Sequence, residues 1–216
     1  MNGLTDRNEL RRWDASHASA KVVEYFSQRA CDYQTKSLRF PWAWMRAAEL
    51  AAIRGLLGDV EGGEILELGA GAGFYTRDLV GRGARHVWAV DMSDAMLAML
   101  PSGPITPVLG DAQTMRLSRR FKLLVSTGML EFVRDASAVL ANAAYHAEPG
   151  ACFVLLVPRT SVFGRLYRRF HRAHGLRIHL FDRNWFETNA PRTGWLVRSV
   201  VRVPPFSLAV RLVRTE

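Results

Sequence analysis

The spacing of apolar positions changes once along this chain, after residue 59. Before that point the period is helical. Ala20, Val23, Tyr25, Phe26 and Ala30 recur at helical spacing within residues 17–30, and residues 42–57 (WAWMRAAELAAIRGLL) carry a second helical pattern, with Pro41 at its start and Gly58 just beyond. After it, short apolar runs alternate with helical ones. EILEL (64–68), HVWAV (86–90), ITPVL (105–109), FKLLVS (121–126) and ACFVLLV (151–157) predict strands, with helices near 75–82, 93–100 and 135–147 between them. Such alternation predicts a parallel sheet covered by helices and joined by right-handed connections. Beyond residue 158 the rhythm changes again. Residues 161–175 and 181–190 predict two helices, the second capped by Asp182. Residues 195–203 and 206–215 predict two strands joined too briefly for a crossover helix, hence antiparallel. No internal repeat or low-complexity linker interrupts the 216 residues, which predicts one domain.

The first strand runs into Gly69, Gly71 and Gly73, a G-x-G-x-G turn that opens a helix. A dinucleotide fold asks for G-x-G-x-x-G there, with an acid about 20 residues on. Phe74 occupies the place of that third glycine, while Asp91 does close the second strand, where its carboxylate can accept from ribose hydroxyls. The pattern predicts a nucleoside at the carboxyl edge of the first two strands and does not require a pyrophosphate. A phosphate-binding G-K-[ST] loop is absent. Glu67 just before the turn, Asp111 in GDAQ (110–113) after the third strand, and STGMLEFV (126–133) after the fourth all fall on the same edge.

Composition narrows the picture further. The formal charge is +9, and its distribution says more than its size. Residues 1–158 hold 17 basic and 17 acidic side chains, while residues 159–216 hold 12 basic ones against Asp182, Glu187 and Glu216. The excess in the tail suggests an anionic substrate, an anionic membrane surface or nucleic acid, or a surface that only confers solubility. Cys31 and Cys152 form no metal or redox spacing, and no metal site is expected. No apolar run reaches the roughly 18 residues of a membrane span. The polar N-terminus has no apolar leader region, so a cytoplasmic location is expected.

ILELGAGAGFYT, VWAVDMSDAML, GDAQ and FKLLVSTGMLEFV resemble, in order and spacing, the successive motifs of class I S-adenosylmethionine-dependent methyltransferases. The resemblance covers residues 60–216, and YFSQRACDYQ (25–34) is similar to the lead-in of quinone- and tetrapyrrole-type small-molecule members. It implies an α/β, Rossmann-like, doubly wound and mostly parallel seven-stranded sheet with a C-terminal antiparallel hairpin. Residues 1–59 would form a helical lid, residues 60–216 the cofactor-binding core, and residues 159–180 a basic helical insert. It further implies S-adenosylmethionine as cofactor and S-adenosylhomocysteine as product. Gly69, Ala70, Gly71 and Gly73 would pass the methionine part, with Glu67 near its ammonium. Asp91 would take the ribose hydroxyls, Met92 would lie against the adenine, and Asp111, Ala112 and Gln113 would edge it. Thr127 and Gly128 would flank the sulfonium, and Tyr33 would close over the cofactor; Tyr25 is a weaker candidate for that role. Phe132 stands where many relatives carry His, which leaves a general base at that place in doubt.

A methyl donor needs little further machinery, because positioning supplies most of the rate. A base helps only where the acceptor arrives protonated, as a phenol or alcohol would. His86 and His146 fall at the amino-terminal edge of the sheet and read as structural. His171, His174 and His179 fall above the carboxyl edge and, with Arg159 and Tyr167, are candidates for touching the acceptor. No [DNS]-P-P-[FY] follows the fourth strand and no cysteine follows proline, so nucleic-acid methylation is disfavoured. The expectation is O-methylation of an aromatic or lipid-like small molecule, acidic in one form of the reading. The alternatives are a non-catalytic cofactor-binding partner and an RNA methyltransferase using the basic tail. The helix at 161–175 places Phe163, Leu166, Tyr167 and Phe170 on one side and Arg165, Arg168, Arg169 and Arg172 around the other. It can cover an apolar substrate, rest on anionic lipid, or simply pack on the domain.

Overall fold

The computed structural model describes residues 20–30 and 42–216. Residues 20–27 form helix α1, and Trp42–Leu57 form α2. Then follow β1 (Glu64–Leu68), α3 (Phe74–Gly81), β2 (His86–Asp91), α4 (Asp94–Leu97), β3 (Ile105–Leu109), β4 (Phe121–Thr127), α5 (Ala136–Tyr145) and β5 (Ala147–Pro158). The tail adds α6 (Val162–Ala173), α7 (Arg183–Asn189), a 3-10 turn at Pro191–Thr193, and the strands β6 (Trp195–Val203) and β7 (Ser207–Arg214). The seven strands form one sheet in the order β3-β2-β1-β4-β5-β7-β6. The first five are parallel, and β7 pairs antiparallel with both β5 and β6. This is the parallel sheet that the alternation predicts and the antiparallel pair that the short tail connection predicts, in the doubly wound arrangement that the resemblance implies.

The central strands are apolar on both faces because helices cover both. Alternate residues of β5 divide between two cores: Phe153, Leu155 and Val157 face the side of α5 and α7, while Val154 and Leu156 face the side of α2 and α3. On the first side the fully buried Trp195 lies 5.4 Å from the ring of Phe153 and donates its indole N–H to the carbonyl of Leu140, 2.8 Å away. The two edge strands are each interrupted in a different way. Pro107 sits in β3, and β6 has a register shift between Val197 and Ser199 with Arg198 and Arg202 exposed along it.

Three boundaries differ from the sequence reading. The helix expected over 93–100 has its α-helical part only at Asp94–Leu97, capped by the Ser93 hydroxyl; the following Pro101 biases Leu100 out of helical conformation. Helix α5 starts one residue later than expected because Asp135 is its cap, accepting from the N–H of Ser137 and Ala138. Strand β5 begins at Ala147 rather than 151, since the chain pairs with Phe121 at once and then shifts register before Leu123 meets Cys152.

The loop after β3 is held from below by α5. The buried Asn142 donates to the carbonyls of Ala112 and Met115, and its Oδ1 accepts from Arg116. His146, wholly buried at the end of α5, accepts the N–H of Leu117 at Nε2 (3.0 Å) and donates from Nδ1 to the carbonyl of Asn142 (2.8 Å). This pairing requires the neutral ring, and burial pushes its pKa below the ordinary 6.5. The unfolded chain therefore takes up the proton first, so this contribution is complete above pH 6.5 and is lost as pH falls below it. Denaturant titrations of the native protein at successively lower pH should show falling stability below that value, and His146→Gln should flatten the fall. An identical pH profile in the variant counts against the neutral pairing. At pH 8, His146→Ala should cost about 1–3 kcal/mol by removing the acceptor of the half-buried Leu117 N–H.

Candidate functional site

The carboxyl ends of β1, β2, β3 and β4 open into one cavity, and the glycine turn forms its floor. Gly69 and Gly71 have φ of 77° and 54°, in the left-handed region that glycine adopts without penalty. Their reasons differ. A Cβ on Gly69 would lie 2.3 Å from that of Met129, so this glycine lets two backbones pass closely. A Cβ on Gly71 would meet nothing within 4 Å, because it would project into the cavity. Gly73 instead caps α3 against Leu100 and Pro101.

Asp91 ties the turn to the end of β2. Its Oδ2 accepts from the N–H of Gly71 (2.8 Å) and its Oδ1 from that of Ser93 (2.9 Å). Burial raises its pKa, while the backbone donors of Ser93, Gly71 and Met92 oppose the shift. Each oxygen keeps a second acceptor site for a ligand hydroxyl. Across the cavity Asp111 receives the backbone and side-chain N–H of Gln113, whose Oε1 accepts from the N–H of Asp135. Helix α1 closes the top. Val22, Val23 and Phe26 line the cavity, and the hydroxyls of Ser27 and Ser93 share a 2.8 Å hydrogen bond.

Of the residues expected at a cofactor, Gly69, Ala70, Gly71, Asp91, Met92, Asp111, Ala112, Gln113, Thr127 and Gly128 line this cavity. Gly73 and Glu67 stand behind its wall. Glu67 is buried beneath the turn, where its Oε2 accepts from the Thr76 hydroxyl of α3 at 2.6 Å, and burial lifts its pKa to about 8. Its other oxygen has no partner among the described residues. Tyr33 lies outside the described residues.

A second cavity adjoins the first, and the two share Phe26, Arg46, Gly128 and Phe132 in their walls. Its sides are aromatic: Tyr25, Phe26, Phe132, Tyr167 and Phe206, the last two stacked at 4.7 Å. Its charged and ionisable lining groups are Arg29, Arg46, Glu49, Glu131 and His171, with the Ser207 hydroxyl beside them. Glu49 accepts from the Ser207 hydroxyl (2.7 Å) and from Arg46 (3.3 Å). Glu131 is 3% exposed, and its Oε2 has no partner among the described residues. Burial drives its pKa up to about 8, with Glu49 adding to the rise and Arg46 opposing it. Its Oε1 lies 3.9 Å from where a Cβ on Gly128 would stand, which places the carboxyl group at the junction of the two cavities.

His171 reaches this wall from α6. It is 5% exposed, its Nδ1 has no partner among the described residues, and burial with the nearby His174 lowers its pKa to about 4. Its ring lies 5.3 Å from that of Phe132. An imidazole therefore stands beside the position where the sequence lacks one, supplied by a different element. Tyr167 shares the wall. Arg159, His174 and His179 do not line either cavity: Arg159 pairs its backbone with Phe206 at the end of β5, His174 caps α6 through the Phe170 carbonyl, and the exposed His179 donates its backbone N–H to Glu131. Tyr25 faces the second cavity rather than the first, with the Arg29 guanidinium 3.7 Å above its ring. Sequence reasoning missed Glu49, Arg46 and Phe206, which follow from no local motif. It passed over Glu131, which lies within the quoted STGMLEFV.

Residues 65–150 match the family model of a methyltransferase domain. No curated protein matches the chain significantly. Among solved structures, an S-adenosylmethionine-dependent methyltransferase from Mesorhizobium loti is 23% identical, with a TM-score of 0.68 over 78% of this chain and 98% of its own. Magnesium protoporphyrin IX methyltransferase from Synechocystis, with bound S-adenosylhomocysteine, is 15% identical, with a TM-score of 0.74 over 92% of this chain and 100% of its own. The 1,6-didemethyltoxoflavin N1-methyltransferase of Burkholderia thailandensis is 20% identical, with a TM-score of 0.70 over 94% of this chain and 91% of its own. These likenesses establish the fold, and within it residues 65–150 are similar to a methyltransferase domain.

Proposed function

We propose that the protein O-methylates an aromatic small molecule seated in the second cavity, with S-adenosylmethionine in the first. The observation that carries this reading is the junction: one buried carboxyl group, Glu131, lies where the two cavities meet at Gly128. The cofactor fits the first cavity on the geometry of its floor and walls. Gly71 leaves open space above the backbone, and Asp91 lines the same cavity with acceptor sites for hydroxyl groups. Asp91 would hold the ribose hydroxyls, Met92, Ala112 and Gln113 the adenine, and Gly69 to Gly71 the methionine part. When bound, the cofactor supplies a methyl group activated on a sulfonium.

The chain's own residues then have three tasks. The aromatic walls hold a planar acceptor by stacking and edge contacts. Phe26 and Phe132, packed edge to face at 5.1 Å, keep water from the junction. Glu131 takes the proton of the acceptor hydroxyl at Oε2, and a pKa near 8 suits a base working close to neutral pH. His171, neutral across that range, offers a hydrogen bond to a second polar group of the acceptor. Structural neighbours include a magnesium protoporphyrin IX methyltransferase and a 1,6-didemethyltoxoflavin N1-methyltransferase, which supports a small-molecule acceptor.

Calorimetry on the purified protein should show binding of S-adenosylmethionine and S-adenosylhomocysteine and none of NAD, since Phe74 replaces the pyrophosphate glycine. Asp91→Ala should weaken that binding by about 1.5–3 kcal/mol. Gly71→Val should abolish it, and normal binding by a folded Gly71→Val variant would move the site elsewhere.

A screen of phenolic acceptors with labelled cofactor tests the reaction. With the acceptor so found, kcat/KM should rise with pH through about 8, because the base must be ionised. Glu131→Gln should lower turnover by about 100- to 10,000-fold with cofactor affinity unchanged. Full turnover in that variant excludes Glu131 as the base.

A further inference from the structure

Helix α6 is amphipathic in an unusual sense: the side it turns toward the domain is not its apolar one. Gly164 and His171 are buried, and Tyr167 stacks on Phe206 between them. Val162, Phe163, Leu166 and Phe170 are instead 69%, 58%, 62% and 54% exposed. At 3.6 residues per turn these four fall within one outward sector roughly 100° wide. Arg165, Arg168, Arg169 and Arg172 fill an adjoining outward sector of about the same width, and the helix holds no acidic residue. All four arginines are exposed, and none has an ion-pair partner among the described residues. The helix thus packs on the domain through Gly164, Tyr167 and His171 and leaves Phe163, Leu166 and Phe170 outside.

The helix cannot roll to bury that side. A Cβ on Gly164 would lie 2.1 Å from the carbonyl oxygen of Arg159, so the backbone of α6 is seated directly on the end of β5. On the inner side His171 is enclosed by the rings of Tyr25, Phe132, Tyr167 and Phe170. Four large apolar side chains thus remain in water beside four unpaired guanidinium groups.

We infer that α6 is an interfacial helix that docks the protein on an anionic lipid surface. The arginines meet lipid phosphates, and Phe163, Leu166 and Phe170 enter the boundary between headgroups and acyl chains. A protein partner would need an acidic rim of matching shape, whereas a bilayer supplies negative charge and apolar depth together. The same helix forms a wall of the second cavity through Tyr167 and His171, so docking sets that cavity beside the membrane. This inference stands whether or not the acceptor proposed above is correct.

The test is sedimentation of the full chain with vesicles of phosphatidylcholine alone and of phosphatidylcholine mixed equally with phosphatidylglycerol. The protein should pellet with the anionic vesicles and stay in solution with the neutral ones, and added salt should release it. The triple variant Arg165→Ala, Arg168→Ala, Arg169→Ala should bind at least about ten-fold more weakly. Phe163→Ser with Leu166→Ser should also weaken binding. S-adenosylhomocysteine affinity, unchanged in both variants, reports an intact fold. Should the triple variant fail to fold, Arg168→Gln with Arg169→Gln reads the same effect. Three results overturn the inference: no pelleting with anionic vesicles at low salt, equal binding by the arginine variant, or a native dimer that the serine variant converts to monomer. A salt-sensitive shift of single-stranded RNA without vesicle binding would assign the arginines to nucleic acid instead.

Discussion

The site depends on one carboxylate accepting two backbone N–H groups. Asp91 binds Gly71 across the turn and Ser93 along its own strand end, and the carbonyl of Val90 accepts from both Gly69 and Ala70. The glycine turn is thereby fastened to β2 and not only to β1. The Val90 carbonyl holds the start of the turn, and the Asp91 bond holds Gly71, the residue that faces the cavity. Burial raises the pKa of this carboxylate, and the backbone donors oppose the rise. Ser93 then caps α4 and bonds to Ser27, so the same few atoms position the floor, one wall and the roof.

Much of this was legible from residue order. The change of period after residue 59, the strand lengths and the brief turn before the last strand fix the sheet, because both faces of β1, β4 and β5 must be apolar to be covered. Gly69, Asp91 and the GDAQ loop follow from chain-local patterns. The second cavity does not. Glu49, Glu131, His171 and Phe206 come from four separate parts of the chain, and the packing of α2 and α6 at the sheet edge brings them together. The direction faced by α6 was illegible for a similar reason. Helical spacing reveals an apolar sector but not whether it turns inward, and Gly164 decides the matter only once Arg159 is placed beneath it.

The two cavities also divide the electrostatic work. The first is built of backbone and two acids held by N–H donors, so its polarity is fixed. The second buries groups whose charge is suppressed: Glu131 is held largely protonated at neutral pH, and His171 is held neutral. An uncharged molecule can therefore enter without meeting a full unpaired charge from either group. Phe132 and the His171 imidazole of α6 lie side by side in the wall of this cavity.

The two sheet edges carry a consequence of their own. Pro107 removes a backbone donor from β3, and β6 breaks its ladder between Val197 and Ser199 and lines its rim with Arg198 and Arg202. Neither edge offers a long, flat row of free peptide groups to another chain. A protein that keeps apolar side chains in water on α6 would otherwise risk two routes to clumping, and strand addition is closed by design of the backbone. At high concentration, stickiness should therefore be confined to a helix surface, where weak contacts between side chains come apart on dilution and do not grow into fibrils.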